Sequence, residues 1–126
     1  MQALRVLVVE DEAIIGMLFS ELLEEMGHSV VAVAATEDAA VAAALEHKPD
    51  LMIVDARLQE GSGIGAVDKV LLNGFIPHIF TSGDTQSVLV LRPGAVVIAK
   101  PFRESDLIPA IEKACGLKAD PKVVSL

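Results

Sequence analysis

Two kinds of segment alternate along the chain. Short runs dominated by Val, Ile and Leu occupy residues 4–9, 29–33, 51–54, 76–81 and 96–99. Runs this short and this apolar read as strands buried on both faces. Between them lie longer stretches with helical spacing. Ile15, Leu18, Leu22 and Met26 recur at three and four residues, and Gly27 closes the pattern. Thr36 precedes an alanine-rich stretch that runs to Leu45, and it is placed to cap that helix. Further helices are predicted over residues 64–72 and 106–115, the last with Leu107, Ile108 and Ile111 as its apolar stripe. The interval from Gly83 to Gly94 breaks the rhythm. Its alternating Val88-Leu89-Val90-Leu91 suits a helix poorly and Arg92-Pro93-Gly94 ends it, so a short or irregular fourth helix is expected. Strand and helix in strict alternation predict a doubly wound α/β domain, a parallel sheet with helices on both faces.

In such a sheet, ligands bind beyond the carboxyl ends of the strands. The first strand ends in Glu10-Asp11, the third in Asp55, the fourth in Thr81-Ser82 and the fifth in Lys100-Pro101. Taken singly, each has a plain reading: a helix cap, a turn, a surface charge. Taken together, three carboxylates, a hydroxyl and an ammonium at one edge make four independent accidents a poor explanation. Converging carboxylates repel and need a cation, and an all-oxygen set with no Cys or His nearby suits Mg²⁺. Mg²⁺ held this way commonly serves phosphoryl groups, whose remaining oxygens Lys100 and Thr81 could hold. A carboxylate such as Asp55 can act as nucleophile and form an acyl phosphate.

Composition narrows the function classes. The chain has 126 residues and a formal net charge of −8, with a pI near 4.7. That balance argues against binding nucleic acid or an anionic membrane surface, since both need a basic face. One cysteine, Cys115, cannot close an internal disulfide, which fits a reducing cytoplasm. The apolar start of the chain is too short and too charged for a signal peptide or a membrane span.

The ordered set Glu10-Asp11, Met52-Ile53-Val54-Asp55, Phe80-Thr81-Ser82-Gly83 and Lys100-Pro101-Phe102 resembles the receiver domain of bacterial two-component response regulators, of the stand-alone, chemotaxis-receiver-like type. The resemblance implies a flavodoxin-like five-stranded sheet of order 2-1-3-4-5, with the receiver over residues 1–118 and a tail over 119–126. It implies that Asp55 is the phosphoacceptor, supplied by a sensor histidine kinase or phosphotransfer protein. Mg²⁺ would be held by Glu10, Asp11, Asp55 and the backbone carbonyl of Arg57. Thr81 and Lys100 would bind the phosphoryl group and act in the switch. The Lys100-Pro101 peptide would be cis, an isomer that costs little before proline, and would aim Lys100 inward. Such a chain signals in a two-component system or phosphorelay by docking on a downstream protein, with a phosphorylation-dependent homodimer as one form of that docking. The resemblance implies a signalling phosphoacceptor that assists its own phosphoryl transfer and dephosphorylation, rather than an enzyme.

Two departures from the family pattern stand out. The position three before the lysine, often aromatic, is Val97, in a chain without Tyr. The usual proline four residues after the aspartate is Gln59. Val97 leaves room for an alternative, a pseudo-receiver that keeps the fold as an interaction module and takes no phosphate. Other readings fare worse. Gly61-Ser62-Gly63-Ile64-Gly65-Ala66 fits a dinucleotide pattern, with Asp84 about 20 residues on, but its glycines begin well past the strand end. A flavodoxin needs a hydroxyl-rich loop where Glu10-Asp11-Glu12 stands. A haloacid-dehalogenase-type phosphatase needs an acid where Arg57 stands. His28, His47 and His78 fall at no carboxyl strand end and read as surface or packing residues, while Met26 and Cys115 read as core.

Overall fold

A computed structural model describes residues 3–124, with side chains through residue 116. Five strands and five helices alternate: β1 (Arg5–Val9), α1 (Ala13–Glu25), β2 (Ser29–Ala34), α2 (Glu37–His47), β3 (Leu51–Asp55), α3 (Gly63–Leu71), β4 (His78–Ser82), α4 (Thr85–Leu91), β5 (Val97–Ala99) and α5 (Glu104–Val124). The strands form one sheet of order β2-β1-β3-β4-β5, and every neighbouring pair is parallel. Both the doubly wound class and the strand order match the expectation. The order reverses at β1, which puts the switch point between β1 and β3.

Strand side chains alternate between faces, and the core divides accordingly. Val6, Val8, Leu51, Ile53 and Ile79 point to the side covered by Phe19 and Leu23 of α1 and by Leu107, Ile111 and Ala114 of α5. Leu7, Val9, Met52, Val54 and Phe80 point to the other side, against Ala40 and Ala44 of α2, Ala66, Val67 and Val70 of α3 and Val88 of α4. The interior strands β1 and β3 are therefore buried almost throughout.

β2 departs from that expectation. It is only partly buried, with Val33 49% exposed, because it is an edge strand with one covering neighbour. Its register against β1 slips by one residue, so that Val31 bulges between Val30 and Ala32.

Helix ends follow local chemistry. Thr36 accepts the Ala39 N–H at 3.1 Å and caps α2 as expected, and Ser62 caps α3 through the Gly65 N–H at 2.9 Å. The fourth helix is short, seven residues, with Asp84 as its cap. Its far end is tied to α3 by an ion pair between Arg92 and Asp68. On α1 the buried positions are Gly16, Phe19 and Leu23, one residue past the anticipated stripe, and Leu18 is exposed. Ile15, Leu22 and Met26 pack along the margin of the core. α5 extends beyond the anticipated end at Cys115 to Val124, through part of the segment read as a tail, whose residues 125–126 lie outside the described residues. No helix among the described residues is long and apolar enough to cross a membrane.

Candidate functional site

β1 and β3 run side by side at the centre of the sheet and end together, so the residues that follow them share one edge. Glu10 is nearly sealed from solvent, and its Oε2 accepts the Glu12 N–H at 3.1 Å. Its Oε1 is buried with no hydrogen-bond partner among the described residues, 3.7 Å from the Lys100 ammonium. Burial dominates its titration and pushes the Glu10 carboxyl up to about 7, with Asp55 adding repulsion and the Glu12 amide and Lys100 opposing it.

Asp11 is half-buried, and its Oδ2 accepts the Gln59 N–H at 2.7 Å. Asp55 closes β3 and is 6% exposed. Its Oδ1 accepts the Arg57 N–H at 3.1 Å, and its Oδ2 lies 2.7 Å from Lys100 Nζ. One oxygen from each of Glu10, Asp11 and Asp55 falls within 4.8 Å of the others.

Thr81 sits on β4 in register with Asp55, fully buried, its Oγ1 without a hydrogen-bond partner among the described residues. Lys100 enters from the far side of the sheet. Its N–H donates to the Ser82 carbonyl at 2.9 Å, the Lys100-Pro101 peptide is cis, and Phe102 stacks on Phe19 with ring centroids 4.4 Å apart. Burial on its own would lower the Lys100 pKa, yet the Asp55 and Glu10 carboxylates outweigh it and hold the ammonium above its ordinary range.

The five residues anticipated at the strand ends, Glu10, Asp11, Asp55, Thr81 and Lys100, are thus brought together. Three carboxylates face one ammonium, and all remaining donors in the cluster are oxygens. This set fits a hard divalent cation, Mg²⁺ in particular, because Lys100 alone leaves excess negative charge on oxygen ligands. A cleft of about 960 Å³ opens beside it, with Arg57 and Gln59 on one lip and Asp84 and Ser87 on the other. Asp84 takes both the N–H and the hydroxyl of Ser87, which holds its carboxyl below the usual range.

Other anticipated features lie elsewhere. Val97 is partly buried in β5 against the core. The histidines stand apart from the cluster: His28 accepts the Leu4 N–H at the opposite end of β1, and His78 Nδ1 meets the Ile76 carbonyl. The glycine-rich segment 61–66 opens α3 rather than a phosphate cradle at a strand end, and a Cβ on Gly63 would fall 1.9 Å from the Asp55 carbonyl oxygen. Sequence reasoning missed Glu37 and the Gln59 amide as parts of this neighbourhood. Spacing gives no sign of either, since their partners lie 25 and 48 residues away in the chain.

Comparison with known proteins identifies relatives of the chain as a whole. The response regulator receiver domain family matches residues 6–112. The transcriptional regulatory protein PdtaR of Mycobacterium tuberculosis is 41% identical over 114 residues, covering 87% of this chain and 56% of that protein. The chemotaxis protein CheY of Thermotoga maritima is 30% identical over 114 residues, covering 86% of this chain and 95% of that protein. Among solved structures, the response regulator PhyR from Brucella abortus superposes with a TM-score of 0.87 at 31% identity, over 98% of this chain and 52% of that one. The chain spans about half the length of the first curated relatives it matches, PdtaR and the Methylorubrum extorquens regulator PhyR.

Proposed function

Because the chain belongs to the response regulator receiver domain family, we propose that Asp55 accepts a phosphoryl group from a phosphohistidine on a sensor histidine kinase or phosphotransfer protein. Glu10, Asp11 and Asp55 would hold Mg²⁺, with the Arg57 backbone carbonyl as a further ligand. When bound, Mg²⁺ neutralises charge on the carboxylates and on the incoming phosphoryl oxygens.

The protein's own groups do the rest. The Arg57 N–H holds Asp55 Oδ1 and so orients the carboxylate. An Asp55 oxygen forms the new bond to phosphorus as the phosphorus–nitrogen bond of the donor breaks, and the electron pair leaves with the imidazole. Lys100, already paired with Asp55, balances the added charge. Thr81 turns its hydroxyl to a phosphoryl oxygen. The observation that carries this reading is that hydroxyl, buried and unpartnered beside Asp55 at an edge of converging carboxylates. A buried hydroxyl with no acceptor is costly, and a phosphoryl oxygen would relieve it.

The phosphorylated domain then binds a downstream protein, passes the group onward in a relay or pairs with a second copy of itself. Its place is the cytoplasm, where kinases and relay proteins of this kind work.

Intact mass after incubation with acetyl phosphate tests the acceptor, comparing wild type with Asp55→Ala, each with Mg²⁺ and with chelator. One phosphoryl adduct, lost in the variant and in chelator, is expected. A chain that takes no phosphate from acetyl phosphate or a kinase, and binds neither Mg²⁺ nor beryllofluoride, is a pseudo-receiver interaction module instead.

A further inference from the structure

The glycine-rich segment that opens α3 is shaped around a side chain from another helix. Glu37, the first residue of α2, places its Oε1 2.8 Å from the Ser62 amide nitrogen and its Oε2 2.7 Å from the Lys69 ammonium. Its own N–H donates to the Glu60 carbonyl at 3.2 Å. Two hydrogen bonds of opposite sense therefore join the start of α2 to the loop between β3 and α3. The glycines make room for this grip. A Cβ on Gly61 would stand 2.4 Å from the Glu37 Cβ, and one on Gly65 would stand 2.9 Å from Oε1. Gly61 also has φ of +81°, a conformation that side chains resist.

The gripped loop is the one that reaches the acidic cluster. Between its two ends lie the Arg57 amide that holds Asp55 and the Gln59 amide that holds Asp11, and Arg57 and Ser62 close it through a backbone bridge. We propose that Glu37 is a positioning residue for the Mg²⁺ site, gripping the glycine loop so that the Arg57 and Gln59 amides set the two metal-binding aspartates. The segment that resembles a dinucleotide motif is then a socket for a carboxylate of this chain. The inference rests on the Mg²⁺ reading given above. Partners of this outer kind orient the groups that ligate a metal and tune its affinity.

Mg²⁺ titration of the full chain, followed by backbone amide NMR, tests it. Glu37→Ala should weaken Mg²⁺ about tenfold and move the Arg57 and Gln59 amide resonances. Glu37→Gln keeps an oxygen for the Ser62 N–H and should restore near wild-type affinity, although its pairing with Lys69 is lost. Glu37→Asp keeps the charge but withdraws the carboxylate, and should weaken Mg²⁺ as Ala does; it carries the test if Glu37→Ala does not fold. Equal affinity in wild type, Glu37→Ala and Glu37→Asp overturns the inference alone. Equal weakening in all three variants, Gln included, overturns it too, since charge or general stability would then be at work. A wild type that binds no Mg²⁺ overturns the Mg²⁺ reading and this inference with it.

Discussion

Thr81 lies beside Asp55 across the β3–β4 ladder, buried, with a hydroxyl that has no partner among the described residues. In the unphosphorylated protein that hydroxyl is a net cost. Thr81→Val should therefore leave folding stability unchanged or raise it by about 1 kcal/mol, read from urea denaturation. The same variant should lose any change in amide exchange or partner binding that beryllofluoride produces in wild type. A clear loss of stability would mean that the hydroxyl already has a partner.

Lys100 is the cation of the acidic cluster, within 4 Å of both Asp55 and Glu10. Lys100→Met leaves the carboxylates facing one another, and should cost about 1–3 kcal/mol in chelator. Added Mg²⁺ should recover more stability in this variant than in wild type, because it replaces the missing positive charge. Thermal midpoints with and without Mg²⁺ compare the two proteins directly. An unchanged midpoint in chelator would place Lys100 outside the charge balance.

Acid should loosen the opposite end of the molecule. His28 is buried, its Nδ1 accepts the Leu4 N–H at 3.0 Å, and its Nε2 has no partner among the described residues. An imidazolium cannot accept that bond. Burial lowers its pKa from the ordinary 6.5, so the unfolded chain takes up the proton first. The stability His28 contributes is present above pH 6.5, erodes as pH falls below it, and levels off below the folded value. Urea midpoints between pH 8 and pH 5, compared for wild type and His28→Gln, should show a shallower acid decline in the variant.

Gly63→Ala should be among the most damaging single-methyl changes in the chain. The new Cβ would lie 1.9 Å from the Asp55 carbonyl oxygen, a backbone atom held in the sheet. Relief requires moving the first turn of α3 or the end of β3, at about 3 kcal/mol or more. Gly74→Ala, with open space around its Cβ but a φ of +117°, should cost less, about 1–2 kcal/mol. Parallel denaturation curves for the two variants separate close contact from backbone conformation.

The strands and the clustered residues are legible in the sequence for one reason. A strand buried on both faces must be apolar along its length, so the first polar residue after each run marks where the chain leaves the sheet. Glu10, Asp55 and Lys100 are found that way, whereas Thr81 is still inside β4 and stands out as the polar residue that closes its apolar run. The stripe on α1 is not, because apolar residues surround most of that helix and Ile15-Leu18-Leu22 is as regular as Gly16-Phe19-Leu23. A glycine that packs closely carries no hydrophobic signal at all. The grip of Glu37 is hidden for another reason. An acid in the first turn of a helix already has a sufficient local explanation in the helix dipole, and only the folded chain brings the loop after β3 to it.

The bulge at Val31 has a bearing on how two copies of this chain can meet. β2 forms one border of the sheet, and the bulge interrupts its row of outward amides and carbonyls. The other border, β5, is three residues long and runs into Pro101, which has no N–H to offer. Neither border presents the long, continuous template that strand-by-strand growth requires. Any pairing of two copies is then left to surfaces other than the sheet borders.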